Sequence, residues 1–82
     1  MNQYIATFYS HFGAIRYKRI CEAGGLKARV MPVPRRLSSS CGTCVSYEGD
    51  KPVYDEKYSD ELEQIVKVTP EGYEQIYSSE SE

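Results

Sequence analysis

Two prolines, Pro32 and Pro34, do most to limit what this 82-residue chain can become. Pro32 has no N–H to give to a β-ladder, so a strand that reaches it must end there or lie at a sheet edge. Pro34 pushes Val33 away from helical backbone angles. The chain is therefore punctuated near its middle. Beyond the prolines comes Arg35-Arg36-Leu37-Ser38-Ser39-Ser40-Cys41-Gly42-Thr43-Cys44, a basic, hydroxyl-rich connection that delivers a Cys-x-x-Cys pair of thiols.

Regular elements are expected on both sides of that break. Residues 3–9, QYIATFY, are rich in β-branched and aromatic side chains and predict a strand. Ser10 fits the N-cap of a helix over 11–23, where Ala14, Tyr17, Cys21 and Gly24 recur at helical spacing. Gly24-Gly25 stops it. Residues 27–33 predict a second strand, 44–48 a third, and 49–52 a turn. A second helix is expected over 55–67, with Tyr58, Leu62, Ile65 and Val66 as its apolar stripe, ended by Pro70 and Gly72. Residues 72–77 predict the last strand. The order β-α-β-β-α-β leads to an α+β, ferredoxin-like sandwich: a four-stranded sheet with two helices on one face. It would form a single domain over residues 1–78, with an acidic tail at 79–82. The other sheet face would then be open. Tyr4 and Phe8 share one face of the first strand, and the chain has eight tyrosines and no tryptophan. An open aromatic face would suit partner docking or a homodimer; equally, tyrosine simply suits half-buried strands.

A chain of this length buries roughly 60% of its unfolded surface. That leaves little room for an enclosed substrate cavity, so a carrier or accessory protein fits better than a stand-alone enzyme. No glycine-rich phosphate loop, carboxylate pair or Ser/His/Asp set is legible. Residues 1–36 hold seven Lys/Arg against Glu22 alone, whereas residues 37–82 hold three Lys against eleven Asp/Glu, for a net charge of −2. That asymmetry can orient the molecule toward a charged partner. Nucleic acid is not the expected partner, because the whole is acidic and no aromatic RNA-binding motif is present. The first residues lack a basic start and a long apolar run, and no window is long and apolar enough for a membrane span. A cytoplasmic setting is the expectation. Three cysteines, an odd number, argue against a secreted disulfide framework.

In a reducing compartment, a close cysteine pair points to redox or metal chemistry. A thiol near pKa 8.5 is mostly protonated at neutral pH, and nearby arginine favours its thiolate. Arg35 and Arg36 precede Cys41, and Arg29 could approach from the second strand. Ser38, Ser39 and Ser40 can donate hydrogen bonds to a sulfur anion, and amides around Gly42 could form an anion nest. Gly42 also removes bulk beside Cys41. Cys41 is thus the candidate nucleophile or sulfur carrier, and Cys44 the resolving thiol that attacks a persulfide or mixed disulfide on Cys41. The strand-like Val45-Ser46-Tyr47 after the pair argues against a thioredoxin arrangement, in which a helix would come next. Zinc is the rival reading: Cys41 and Cys44 have half of a site's spacing, with Cys21 and His11 as the other ligands in the chain, or a second chain's pair. Cys21 reads more simply as a buried small hydrophobe, and His11 as a first-turn surface residue with an acid/base role beside Cys41 as the alternative. No metal or cofactor is required by the carrier reading.

The succession of a strand ending in Thr7-Phe8-Tyr9-Ser10, a small-residue helix, Ala23-Gly24-Gly25-Leu26, then Arg29 to Arg35 and Ser38-Ser39-Ser40-Cys41-Gly42 resembles the putative selenium/sulfur carrier protein-like family. Pro32-x-Pro34-Arg35 followed by Ser39-Ser40-Cys41-Gly42 is its most specific part. The resemblance implies a small α/β domain of bacterial cytoplasm that transfers sulfur or selenium on the cysteine matching Cys41. Its partners would be a donor protein such as a cysteine desulfurase and an acceptor. Thr43-Cys44 departs from the small or apolar residues common after Cys-Gly in the family, and so points to a two-thiol cycle. The competing reading is a small protein-binding module that senses thiols or metal without catalysis.

Overall fold

The structure is a computed structural model that describes residues 2–37, 41–54 and 61–79. Its elements run β1 (Asn2–Phe8), α1 (His11–Ala23), β2 (Ala28–Pro32), β3 (Thr43–Gly49), β4 (Leu62–Thr69) and β5 (Gly72–Ser78). The five strands form one sheet in the order β2-β3-β1-β4-β5, and every neighbouring pair is antiparallel. Pro32 is the last residue of β2, at the sheet edge, where its missing N–H does least harm.

Helix α1 forms because its ends are well capped. Ser10 sits in extended backbone and its hydroxyl accepts from the Gly13 N–H at 3.1 Å. At the other end the Leu26 N–H reaches the Cys21 carbonyl at 3.0 Å and the Gly25 N–H the Glu22 carbonyl at 3.0 Å. This paired closure uses up carbonyls that the last turn would leave orphaned. The helix buries Gly13, Ala14, Tyr17 and Cys21. Gly13 is needed for close approach: a Cβ there would lie 2.7 Å from the Glu61 Cβ. The Glu61 carboxylate in turn accepts from the Ser10 hydroxyl at 2.6 Å, which ties the start of α1 to the start of β4.

The ferredoxin-like expectation of four strands and two helices is overturned: the sheet has five strands, and α1 is the single helix among the described residues. Of the second helix expected over 55–67, residues 62–67 belong to β4, and 55–60 lie outside the described residues. A β-bulge explains the error. Phe8 pairs with Leu62 but Thr7 pairs with Gln64, so Glu63 is an extra residue and the side-chain alternation shifts by one. Leu62 and Ile65 therefore share the α1 side of the sheet, while Val66 takes the other. A three-residue apolar spacing that reads as helical is here the trace of a bulged strand. The β-branched run Ile65-Val66-Lys67-Val68-Thr69 suits that outcome.

Among the described residues, the aromatic pair expected on an open face is covered. Tyr4 and Phe8 lie on the helix-covered side, packed with Tyr17 and Tyr47. The Tyr17 and Tyr47 hydroxyls bond each other at 2.9 Å; the Val53 carbonyl accepts from Tyr17, and the Val53 N–H donates to Tyr47 at 3.0 Å. The segment after β3 is thereby clamped over this core. On the opposite face Ile5, Cys44 and Val66 form a second cluster, covered by Met31, Val33, Leu37, Val68 and Tyr73. The Pro34–Leu37 turn, closed by the Leu37 N–H to the Pro34 carbonyl at 3.0 Å, folds over that face. The prolines thus do more than end a strand: they turn the chain back across the sheet. No helix among the described residues is long and apolar enough to cross a membrane.

Candidate functional site

Strand polarity places the thiols. Since β3 runs antiparallel to β1, with Thr7 opposite Cys44, the start of β3 lies beside the end of β1 and hence beside the start of α1. Thr43 joins the two: its hydroxyl hydrogen-bonds the His11 Nδ1 at 3.1 Å, and its carbonyl accepts from the Cys41 thiol at 3.4 Å. The sequence offers no helix after Cys44; the fold brings the start of α1, from the chain before it, to Thr43. Antiparallel pairing of the first and third strands is the signal that could have found it, whereas Thr43 by itself looks like no more than a spacer between the thiols.

Cys41 is half-buried at the margin of the α1-side core. Gly42 has φ +73 and nothing within 4 Å of where a Cβ would stand, so the backbone beside the thiol is both left-handed and open. That conformation calls for glycine. The Gly42 carbonyl accepts from the Val33 N–H at 3.1 Å, which continues the β2–β3 pairing up to the thiol.

Cys44 is differently placed. It pairs with Met31 on one side and Thr7 on the other, so it is locked in the middle of the sheet. Its side chain joins the second-face cluster and is fully buried. The thiol points to the Pro32 carbonyl at 3.7 Å. Burial, with a smaller contribution from Cys41, pushes its pKa up to about 11. Cys21, in the α1-side core, is likewise pushed up to about 11, by burial and then by Glu22. Buried thiols of this kind are inert as nucleophiles. All three cysteines are present as thiols.

Arg36 lies away from Cys41. Arg35 is exposed. Arg36 reaches across the second face, with its Nη1 3.8 Å from the Cβ position of Gly72, beside Thr69, Pro70 and Tyr73 in the β4–β5 turn. By register this turn lies at the end of the sheet away from Cys44 and Thr7. Ser38, Ser39 and Ser40 lie outside the described residues. His11 and Cys21 sit ten residues apart on α1, a rise of about 15 Å. Among the described residues no three His, Cys, Asp or Glu side chains group as a metal site.

Comparison with known proteins agrees with the motif. Uncharacterized protein YtiA of Escherichia coli (strain K12) is 33% identical over 45 residues, which cover 55% of this chain and 53% of that protein. The match thus spans about half the length of the curated relative. No solved structure matches. The sequence pattern described as "Putative Se/S carrier protein-like" matches residues 3–78, nearly the whole chain. The chain therefore belongs to the putative Se/S carrier protein-like family.

Proposed function

We propose that this protein carries sulfur or selenium on Cys41, without catalysing a reaction of its own. One observation carries the reading: of the three cysteines, Cys41 alone among the described residues has solvent access, and it does so at an open glycine beside the start of α1. For sulfur, Cys41 first loses its proton to solvent. The thiolate then attacks the outer sulfur of a donor persulfide; a Cys41 S–S bond forms, the donor S–S bond breaks, and the donor cysteine leaves as thiolate. An acceptor thiolate repeats the exchange on the outer sulfur of Cys41 and releases the Cys41 thiolate. Neither step has net oxidation, and both suit a reducing compartment such as the cytoplasm.

A two-thiol cycle would run otherwise. Cys44 would attack the inner sulfur of the Cys41 persulfide, expel hydrosulfide and leave a Cys41–Cys44 disulfide for a dithiol reductant to reset. The burial of Cys44 between two ladders supports the single-thiol route, because that attack first requires β3 to open. The test is intact mass spectrometry after incubation with a cysteine desulfurase and cysteine. Wild type should gain the mass of one sulfur atom, removable by dithiothreitol, and Cys41→Ser should gain none. Equal gain by the variant would refute the proposal.

A further inference from the structure

Helix α1 carries two apolar stripes, and the core uses only one. Ala14, Tyr17 and Cys21 face the sheet. Phe12, Ile15, Arg16 and Arg19 stand at i, i+3, i+4 and i+7 on the opposite side, where an ordinary surface helix is polar. Phe12 is 66% exposed and Ile15 41%. The Arg16 guanidinium lies over the Phe12 ring, 5.0 Å from its centroid, and the two arginines flank a shallow groove that begins at His11. His11 is the residue bonded to Thr43, whose carbonyl holds the Cys41 thiol. The groove therefore starts next to the thiol.

We infer that this outer face of α1 docks the protein that delivers sulfur to Cys41, through an acidic surface bearing apolar side chains. The inference rests on the carrier reading and names its partner's chemistry. Charge complementarity decides the sign. Arg16 and Arg19 lie in the basic half of an otherwise acidic chain. The apolar pair supplies the area that association buries, and the arginines steer an acidic partner into register. Two arginines around a phenylalanine–isoleucine centre form too small a basic footprint for a nucleic-acid backbone.

The experiment measures the rate at which the full chain acquires one sulfur atom, from either of two sources: a cysteine desulfurase with cysteine, or sodium polysulfide, which needs no docking. The variants are Arg16→Glu/Arg19→Glu and Phe12→Ser, at exposed positions that leave the core intact. Desulfurase-driven loading should fall roughly tenfold or more in each, wild-type loading should slow as salt rises, and polysulfide loading should stay at the wild-type rate. Equal desulfurase-driven rates in wild type and variants would overturn the docking face and leave the carrier reading standing. Wild type that loads from polysulfide but not from the desulfurase also overturns it. If neither source loads Cys41, the carrier reading itself falls. Loss of single-stranded RNA binding in the variants, with loading unchanged, would assign the face to nucleic acid instead.

Discussion

Cys41 and Cys44 are neighbours in sequence and opposites in the fold. Cys41 lies half-exposed at the rim of the α1-side core, while Cys44 is buried in the cluster on the other face of the same sheet. The pair straddles the start of a strand. Cys44 is the second residue of β3, whose side-chain alternation points it into the second-face cluster. Cys41 precedes the strand, behind the left-handed Gly42 at φ +73, and packs at the rim of the α1-side core.

Several experiments can break that contrast. The largest effect is expected on sulfur loading: Cys44→Ser should load within about twofold of wild type, whereas Cys41→Ser should not load, as measured by intact mass. Loss of loading in Cys44→Ser would restore the two-thiol cycle. Next is native alkylation. A thiol pushed up to about 11 holds about 10²-fold less thiolate at neutral pH than one at its ordinary value of 9.0, before any loss of access is counted. Iodoacetamide should label Cys41 first, and Cys21 and Cys44 only in denaturant, as read by peptide mass spectrometry.

Stability against pH gives a smaller effect. In the unfolded chain Cys21 and Cys44 ionise near 9.0, and in the folded one only near 11. As pH rises through that window the unfolded state sheds these protons first, so stability is full below pH 9 and falls toward pH 11. At pH 10 the loss is about 1 kcal/mol per thiol. Urea melts at pH 8 and 10 should show it, and Cys44→Ala should reduce it. A substitution beside Cys41 should act only on that side: Gly42→Ala, at φ +73, should cost about 1 kcal/mol. It should alter Cys41 alkylation by a few fold while leaving Cys44 protected. Unmasking of Cys44 by that change would mean that the two thiols share one environment after all.

Much of the first half was legible. Ser10, the Ala14–Tyr17–Cys21 stripe and Gly24-Gly25 mark α1 with local chemistry that no tertiary contact had to override. Pro32 marked the end of β2. The second half was misread at β4, because the bulge at Glu63 gives Leu62 and Ile65 a helical spacing, and a bulge leaves no local signature stronger than that pattern. In the site, the open space at Gly42 beside Cys41 was legible in the loop composition. The destination of Arg36 was not: proximity in sequence suggested a thiolate partner, but the Pro34–Leu37 turn carries it across the second face to the β4–β5 turn. His11 was visible as a candidate, but its link to Cys41 through Thr43 depends on the β1–β3 register, a long-range fact.

The most direct test of the account is a peptide map of the sulfur. Wild-type protein loaded by a cysteine desulfurase and cysteine would be blocked with an alkylating agent, digested and sequenced by mass spectrometry. The account predicts one additional sulfur on Cys41, with Cys21 and Cys44 unmodified until the protein is denatured. Additional sulfur on Cys44, or a Cys41–Cys44 disulfide accumulating at the rate of loading, would contradict it.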